Sequence, residues 1–222
     1  MCKLRPIGTK RFTENWAALS VSGLMKQNHD ERLLMRVAGI AAVLSSVAWL
    51  TWAVLNGLTH GGMEAAPPRG DARLFRLGEL LTAAWNLLLV PCALALWRWL
   101  EARRPNLMLL YTVSGLLSLA FWGYGGATHG ITPALENSYL FMSAIWWVGT
   151  GFVLWQESRA AGLLTIVLGM FTGLDCVMTL FEPLPDWMFA ISAPKLPLAA
   201  LWSAWIGVLL LKRSVGVQGE LS

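Results

Sequence analysis

An aspartate inside a long apolar run costs about 2.5–3.5 kcal/mol on membrane-insertion scales, so Asp175 is the first residue whose chemistry needs an account. It stands in "GMFTGLDCVMTLFE", where Thr172, Asp175, Thr179 and Glu182 recur at helical spacing and share one face. Glu79, Thr82 and Asn86 make a second such stripe, and Trp49, Trp52, Asn56 and His60 a third. Ser114, Ser118, Trp122, Gly125 and His129 make a fourth. With these faces turned inward, carboxylates and imidazoles can pair, bind a cation, pass protons, or serve as general acid and base. The same groups can equally form a structural network, hydrogen-bonded shut. Asn56, His60, Glu79, Asn86, His129, Asp175 and Glu182 are therefore the expected polar pocket, with Glu64 and Glu136 at its rim.

Metal chemistry is the sharper form of that expectation. His60 and Glu64 have the i, i+4 spacing of a zinc pair, but Gly61 and Gly62 interrupt the helix between them, and a third ligand would have to come from His129 or another span. Haem ligation by His60 and His129 would place the iron at helix ends, and His29 lies in the N-terminal region. No metal is assigned on these grounds, and the cofactor stays open. Cys2, Cys92 and Cys176 are too scattered for a disulfide framework. Phosphate-binding, dinucleotide and nucleophile-elbow motifs are absent from the sequence.

The elements that must position these residues follow from composition. Of 222 residues, 56% are hydrophobic and 14% charged, with a mean hydropathy of +0.55. A soluble domain of this size cannot hide that much apolar surface, whereas lipid accepts it on the outside of helices. Crossing a hydrocarbon core of about 30 Å takes about 20 residues of helix. Six apolar runs of roughly this length lie between charges, near 37–58, 77–97, 107–127, 138–155, 161–181 and 196–211. The expected fold is thus all-α, an integral membrane bundle of six transmembrane helices over 37–213, with tails at 1–36 and 214–222. Within the first tail, Phe12, Trp16 and Leu19 have the spacing of a short interfacial helix.

Basic residues near span ends stay preferentially cytoplasmic, and 13 of the 17 Lys and Arg fall on one side if the N-terminus is inside. Arg69, Arg73, Arg76 and Lys195 are the four outside. Both termini are then cytoplasmic and the protein is expected in the plasma (inner) membrane. The positive charge is a topology signal, and no basic soluble face suggests nucleic acid as a partner. The expected partners are the lipid bilayer and another membrane protein or a second copy of the chain.

Short echoes run through the spans. "RVAGIAAVL" from Arg36 resembles "RAAGLLTIVL" from Arg159, and "NGLTH" at the end of span one resembles "GGATH" at the end of span three. Three repeated hairpins and shared apolar composition explain this equally well. Gly169 with Gly173, and Ser114 with Ser118, are small-residue pairs suited to close helix contact. Trp97, Trp99 and Trp155 suit the inner interface and Trp187 the outer, while Trp146, Trp147, Trp202 and Trp205 lie deeper, facing lipid or lining a pocket. Three function classes fit: an accessory or structural membrane subunit with an outward-facing polar pocket, a transporter of a small solute, ion or proton using Asp175 and Glu79, and a membrane enzyme acting on a lipid or isoprenoid through those carboxylates. No catalytic motif is present, which favours the first.

Overall fold

The computed structural model describes residues 9–60, 72–128, 133–180 and 194–216, all of them helix, turn or short connection. Six helices follow in order: α1 Thr9–His60, α2 Ala72–Leu100, α3 Pro105–Thr128, α4 Pro133–Leu154, α5 Arg159–Met178 and α6 Lys195–Gly216. Each coincides with one of the six apolar runs. No strand occurs among the described residues.

α1 starts far upstream of the apolar run. No proline stands between Pro6 and Pro67, so nothing breaks the backbone ladder, and the segment expected as a tail with one short helix is helical from Thr9 onward. α5 starts at an N-cap, where the Ser158 side chain accepts the Ala161 N–H, and Thr179 closes it. Pro91 lies inside α2, where it leaves a carbonyl one turn back without its amide partner, a defect that a helix packed on both flanks tolerates.

The helices form a closed ring. Each packs on its neighbours in the chain, and α6 completes the circuit against α1; the seam between α5 and α6 is the narrowest. Close approach has a visible cause at two seams. A Cβ on Gly207 of α6 would stand 2.8 Å from the Gly39 carbonyl oxygen of α1, and a Cβ on Gly169 of α5 would stand 2.8 Å from the Val148 nitrogen of α4. Gly173, one turn further along α5, leaves ordinary room, 3.6 Å to the Ala144 Cβ. In α3 the tight contact is at Gly115, against the Trp146 ring, while Ser118 is buried and its hydroxyl donates to the Gly115 carbonyl.

Large apolar side chains lie on the outside. Leu33, Val37, Ile40, Leu44, Val47 and Val54 of α1 are all about half exposed, three to seven residues apart on one face. The interior holds Ala, Ser, Thr and Trp alongside Leu, and several of its hydroxyls donate to carbonyls of their own helix, as Thr82 to Gly78, Thr165 to Ala161 and Thr172 to Leu168. Five helices are long and apolar enough to cross a membrane: all but α4, whose first turns carry Glu136, Asn137 and Ser138.

The two ends of the ring differ. At the end holding the C-termini of α2, α4 and α6, the axis is filled by Leu96, Leu100, Met108, Leu154, Ile206 and Leu210, all fully buried. Arg103 there pairs with Glu157, tying the α2–α3 connection to the α4–α5 connection, and the Arg213 guanidinium lies 4.8 Å over the Trp99 ring. The other end is not filled in this way.

Candidate ligand cavity

Between the C-terminal halves of α1, α3 and α5 and the N-terminal halves of α2, α4 and α6 lies a cavity of about 220 Å³ to which all six helices contribute. Its wall joins aromatic Trp49, Trp85, Trp122, Tyr139 and Trp147 to aliphatic Leu140, Leu168, Met178 and Ala199, and its polar members are Glu136, Asp175, Thr179 and Lys195.

The aromatic wall is built by stacking. Trp49 lies between Trp52 and Trp85, with ring centroids 4.6 Å and 4.5 Å away, so both of its faces are covered. Trp122 stacks on Tyr139 at 4.4 Å. Trp147 meets Trp202 edge to face at 4.1 Å and Trp146 at 4.7 Å, which makes an indole cluster beneath the cavity. The Trp202 indole N–H donates to the Thr165 hydroxyl at 2.8 Å, locking that cluster across the α5–α6 seam.

Polar bonds from α1 fix the start of α6. The Trp49 indole N–H donates to the Leu196 carbonyl at 2.7 Å, and the Ser46 hydroxyl to the Ala200 carbonyl at 2.9 Å. Both acceptors are in the first two turns of α6, so Lys195 is held at the cavity edge. Its Nζ meets Asp175 Oδ2 at 2.5 Å, a charge-assisted bond that bridges the narrow seam. The two side chains keep 19% and 16% of their surface exposed, enough to connect the pair with the exterior. Three other polar atoms on the wall residues are buried and accept or donate no hydrogen bond within the protein: Asp175 Oδ1, Trp85 Nε1 and Trp122 Nε1. Thr179, by contrast, is satisfied by Asn137 Oδ1 and the Cys176 carbonyl.

Of the expected pocket residues, Asp175 is on the cavity wall and Glu136, expected at the rim, is there with it. Thr172 is buried one turn below. The Glu79, Thr82, Asn86 stripe faces elsewhere. Asn86 is fully buried, its Nδ2 donates to the Thr82 carbonyl at 2.7 Å, and its Cβ lies 4.0 Å from the position a Cβ would take on Gly123, which puts the stripe on the α2–α3 seam. Glu79 is half-buried and neither it nor Asn86 lines the cavity. At 100° per residue, Glu79 is about 120° around α2 from the wall residue Trp85, which is why the two cannot face the same space. α1 and α3 are described as far as His60 and Thr128, so the first Thr-His echo lies on α1, while His129 of the second lies outside the described residues. The side chains of Asn56 and His60, and residues His129, Glu182 and Glu64, lie outside the described residues. Among the described residues, no three His, Cys, Asp or Glu side chains come together in a metal-holding group.

Lys195 and Tyr139 carry the site without having stood out in the sequence. Lys195 had a signal: it opens the last apolar run between prolines, in "APKLP", on the side the charge count already gives as outer. Tyr139 had none beyond its place three residues after Glu136. Compared with protein-family models, curated proteins and solved structures, the chain matches none.

Proposed function

We propose that this chain is a six-span protein of the plasma (inner) membrane with both termini cytoplasmic, and that it works as a ligand-binding accessory subunit through the cavity at its outer end. Membrane embedding is supported by the outward-facing leucines and valines and by five helices of spanning length and hydropathy. α4 has 22 residues, packs between α3 and α5 and is counted with them, which keeps the number of spans even. The orientation rests on Arg98, Arg103, Arg104, Arg159, Lys212 and Arg213 clustering at the filled end of the ring.

The observation that carries the binding role is the cavity wall itself: aromatic side chains from α1 to α4, closed by aliphatic and polar residues of α5 and α6, with three buried polar atoms on wall residues that lack a protein partner. A conduit would need polar groups along the rest of the axis, where leucine, isoleucine and methionine pack instead. A two-carboxylate enzyme built on Asp175 and Glu79 would need both on one space, and Glu79 is on another face of α2.

The test is thermal unfolding of the full chain in nanodiscs against a panel of small charged and neutral molecules. At least one should raise the melting temperature saturably, and the shift should vanish in Ala199→Phe, which fills the cavity from α6. A panel that never shifts the native chain, or shifts both chains equally, sinks the binding role. Copurification of a membrane partner at fixed ratio is the accompanying expectation for a subunit.

A further inference from the structure

Two connections at the filled end of the ring carry a charge imbalance. From Trp97 to Met108 and from Leu154 to Leu163 the charged residues are Arg98, Glu101, Arg103, Arg104, Glu157 and Arg159. Arg98 holds Glu101 at 2.5 Å, and Arg103 holds Glu157 at 2.8 Å. Both carboxylates are thereby spent. The side chains of Arg104 and Arg159 are exposed and have no partner among the described residues. They follow Arg103 and Glu157 by one and two residues, so the salt bridge that ties the two connections together also gathers these arginines into one corner, beside the end of α4. That corner has a surplus of two positive charges.

The neighbours fix its depth. The Met108 N–H bonds the Arg104 carbonyl, so Arg104 is already in the register of α3. Leu107 comes three residues after Arg104 and Leu163 four after Arg159, so each leucine shares a helix face with its arginine, one turn further along. Both leucines are about half exposed, on the outside of the ring, and the Trp155 side chain of the α4–α5 connection is exposed as well. Indoles favour the headgroup level of a bilayer. Cations at that level with lipid-facing leucines one turn deeper follow the order of a phospholipid, phosphate outermost and acyl chain beneath.

The chemistry narrows the lipid. A guanidinium matches the oxygens of a phosphate with paired N–H donors. A zwitterionic headgroup also brings a cation, and this corner has no free carboxylate to receive it. Resting on membrane embedding, but neither on the cavity nor on which side this end faces, we infer that Arg104 and Arg159 form a binding site for the phosphate of a net-anionic phospholipid. The occupant is the lipid, because a free phosphate would use none of the apolar surface below the arginines.

Native mass spectrometry of the full chain, released from nanodiscs of equal phosphatidylglycerol and phosphatidylcholine, reads the preference. Phosphatidylglycerol should be the lipid retained, and Arg104→Gln and Arg159→Gln should each weaken its binding about fivefold. A control variant with Arg36→Gln and Lys212→Gln removes as much charge from α1 and α6 at the same end, and should leave the preference unchanged. Melting temperatures in pure phosphatidylcholine should match the native chain for all variants, so a folding defect does not mimic the result. Equal retention of the two lipids, or an equal loss in the control variant, overturns the site. Inorganic phosphate competing as well as short-chain phosphatidylglycerol overturns the lipid as occupant. A chain that enters no nanodisc contradicts the embedding itself, a failure distinct from these.

Discussion

At Asp175 and Lys195, removing one charge leaves the other in a mostly buried position, and the penalty for a stranded buried charge is about 3–5 kcal/mol. With about a sixth of each side chain still exposed, the lower part of that range applies. Asp175→Asn should therefore destabilise the protein by about 3 kcal/mol, and adding Lys195→Met should restore most of the loss, because the double variant strands nothing. A double-mutant cycle on unfolding in detergent measures the coupling. Additive losses, with the double variant losing the sum of the two single ones, would mean that the two side chains are not coupled. The neighbouring pin offers a smaller effect. Trp202→Phe keeps the ring packed against Trp147 but removes the N–H bond to Thr165, and should cost about 1 kcal/mol in the same unfolding measurement.

At the scale of helices, the α4–α5 seam distinguishes two glycines that sequence spacing treats alike. Gly169→Ala drives a methyl into backbone and should destabilise by about 1–3 kcal/mol. Gly173→Ala finds ordinary contact distance and gains helix propensity, so it should be neutral or stabilising by up to about 1 kcal/mol. Thermal melts of the two variants decide it, and similar melting temperatures would contradict the packing described for Gly169. The small-xxx-small spacing located this contact but not its asymmetry, since a helix repeat of 3.6 residues fixes which side chains share a face and leaves open how near the neighbour comes. The same limit explains Glu79. Its hydrophobic surroundings and its spacing to Asn86 were legible, whereas the rotation of α2 that turns Trp85 to the axis and Asn86 to α3 depends on the packing of three helices together. Helix existence was legible for all six runs because charge and proline delimit them. The start of α1 was not, since a more polar stretch continuing an apolar helix changes composition without changing backbone conformation.

For the whole molecule, the proposed topology predicts which loops an impermeant thiol reagent reaches from outside intact cells. With Cys2, Cys92 and Cys176 replaced by serine, a cysteine at Arg73 or Ala134 should label, and one at Arg103 or Glu157 should label only after permeabilisation. The reverse pattern would turn the cavity to the cytoplasm. Asp175 was legible as the one carboxylate deep in an apolar run; its partner was not, because Lys195 is 20 residues away across a segment with two more prolines, Pro183 and Pro185, before the final helix.

Ring closure has a temporal side. The wall needs Lys195 and Ala199, and the bonds that seat them reach back to Ser46 and Trp49, across 154 and 147 positions of chain. During synthesis, α1 through α5, which carry Trp49, Trp85 and Asp175, leave the ribosome before α6. Only insertion of the last helix closes the ring. A nascent chain stalled before Lys195 therefore has five-sixths of the bundle and lacks the cavity's last wall, so under the proposed binding role ligand retention should report completed biogenesis.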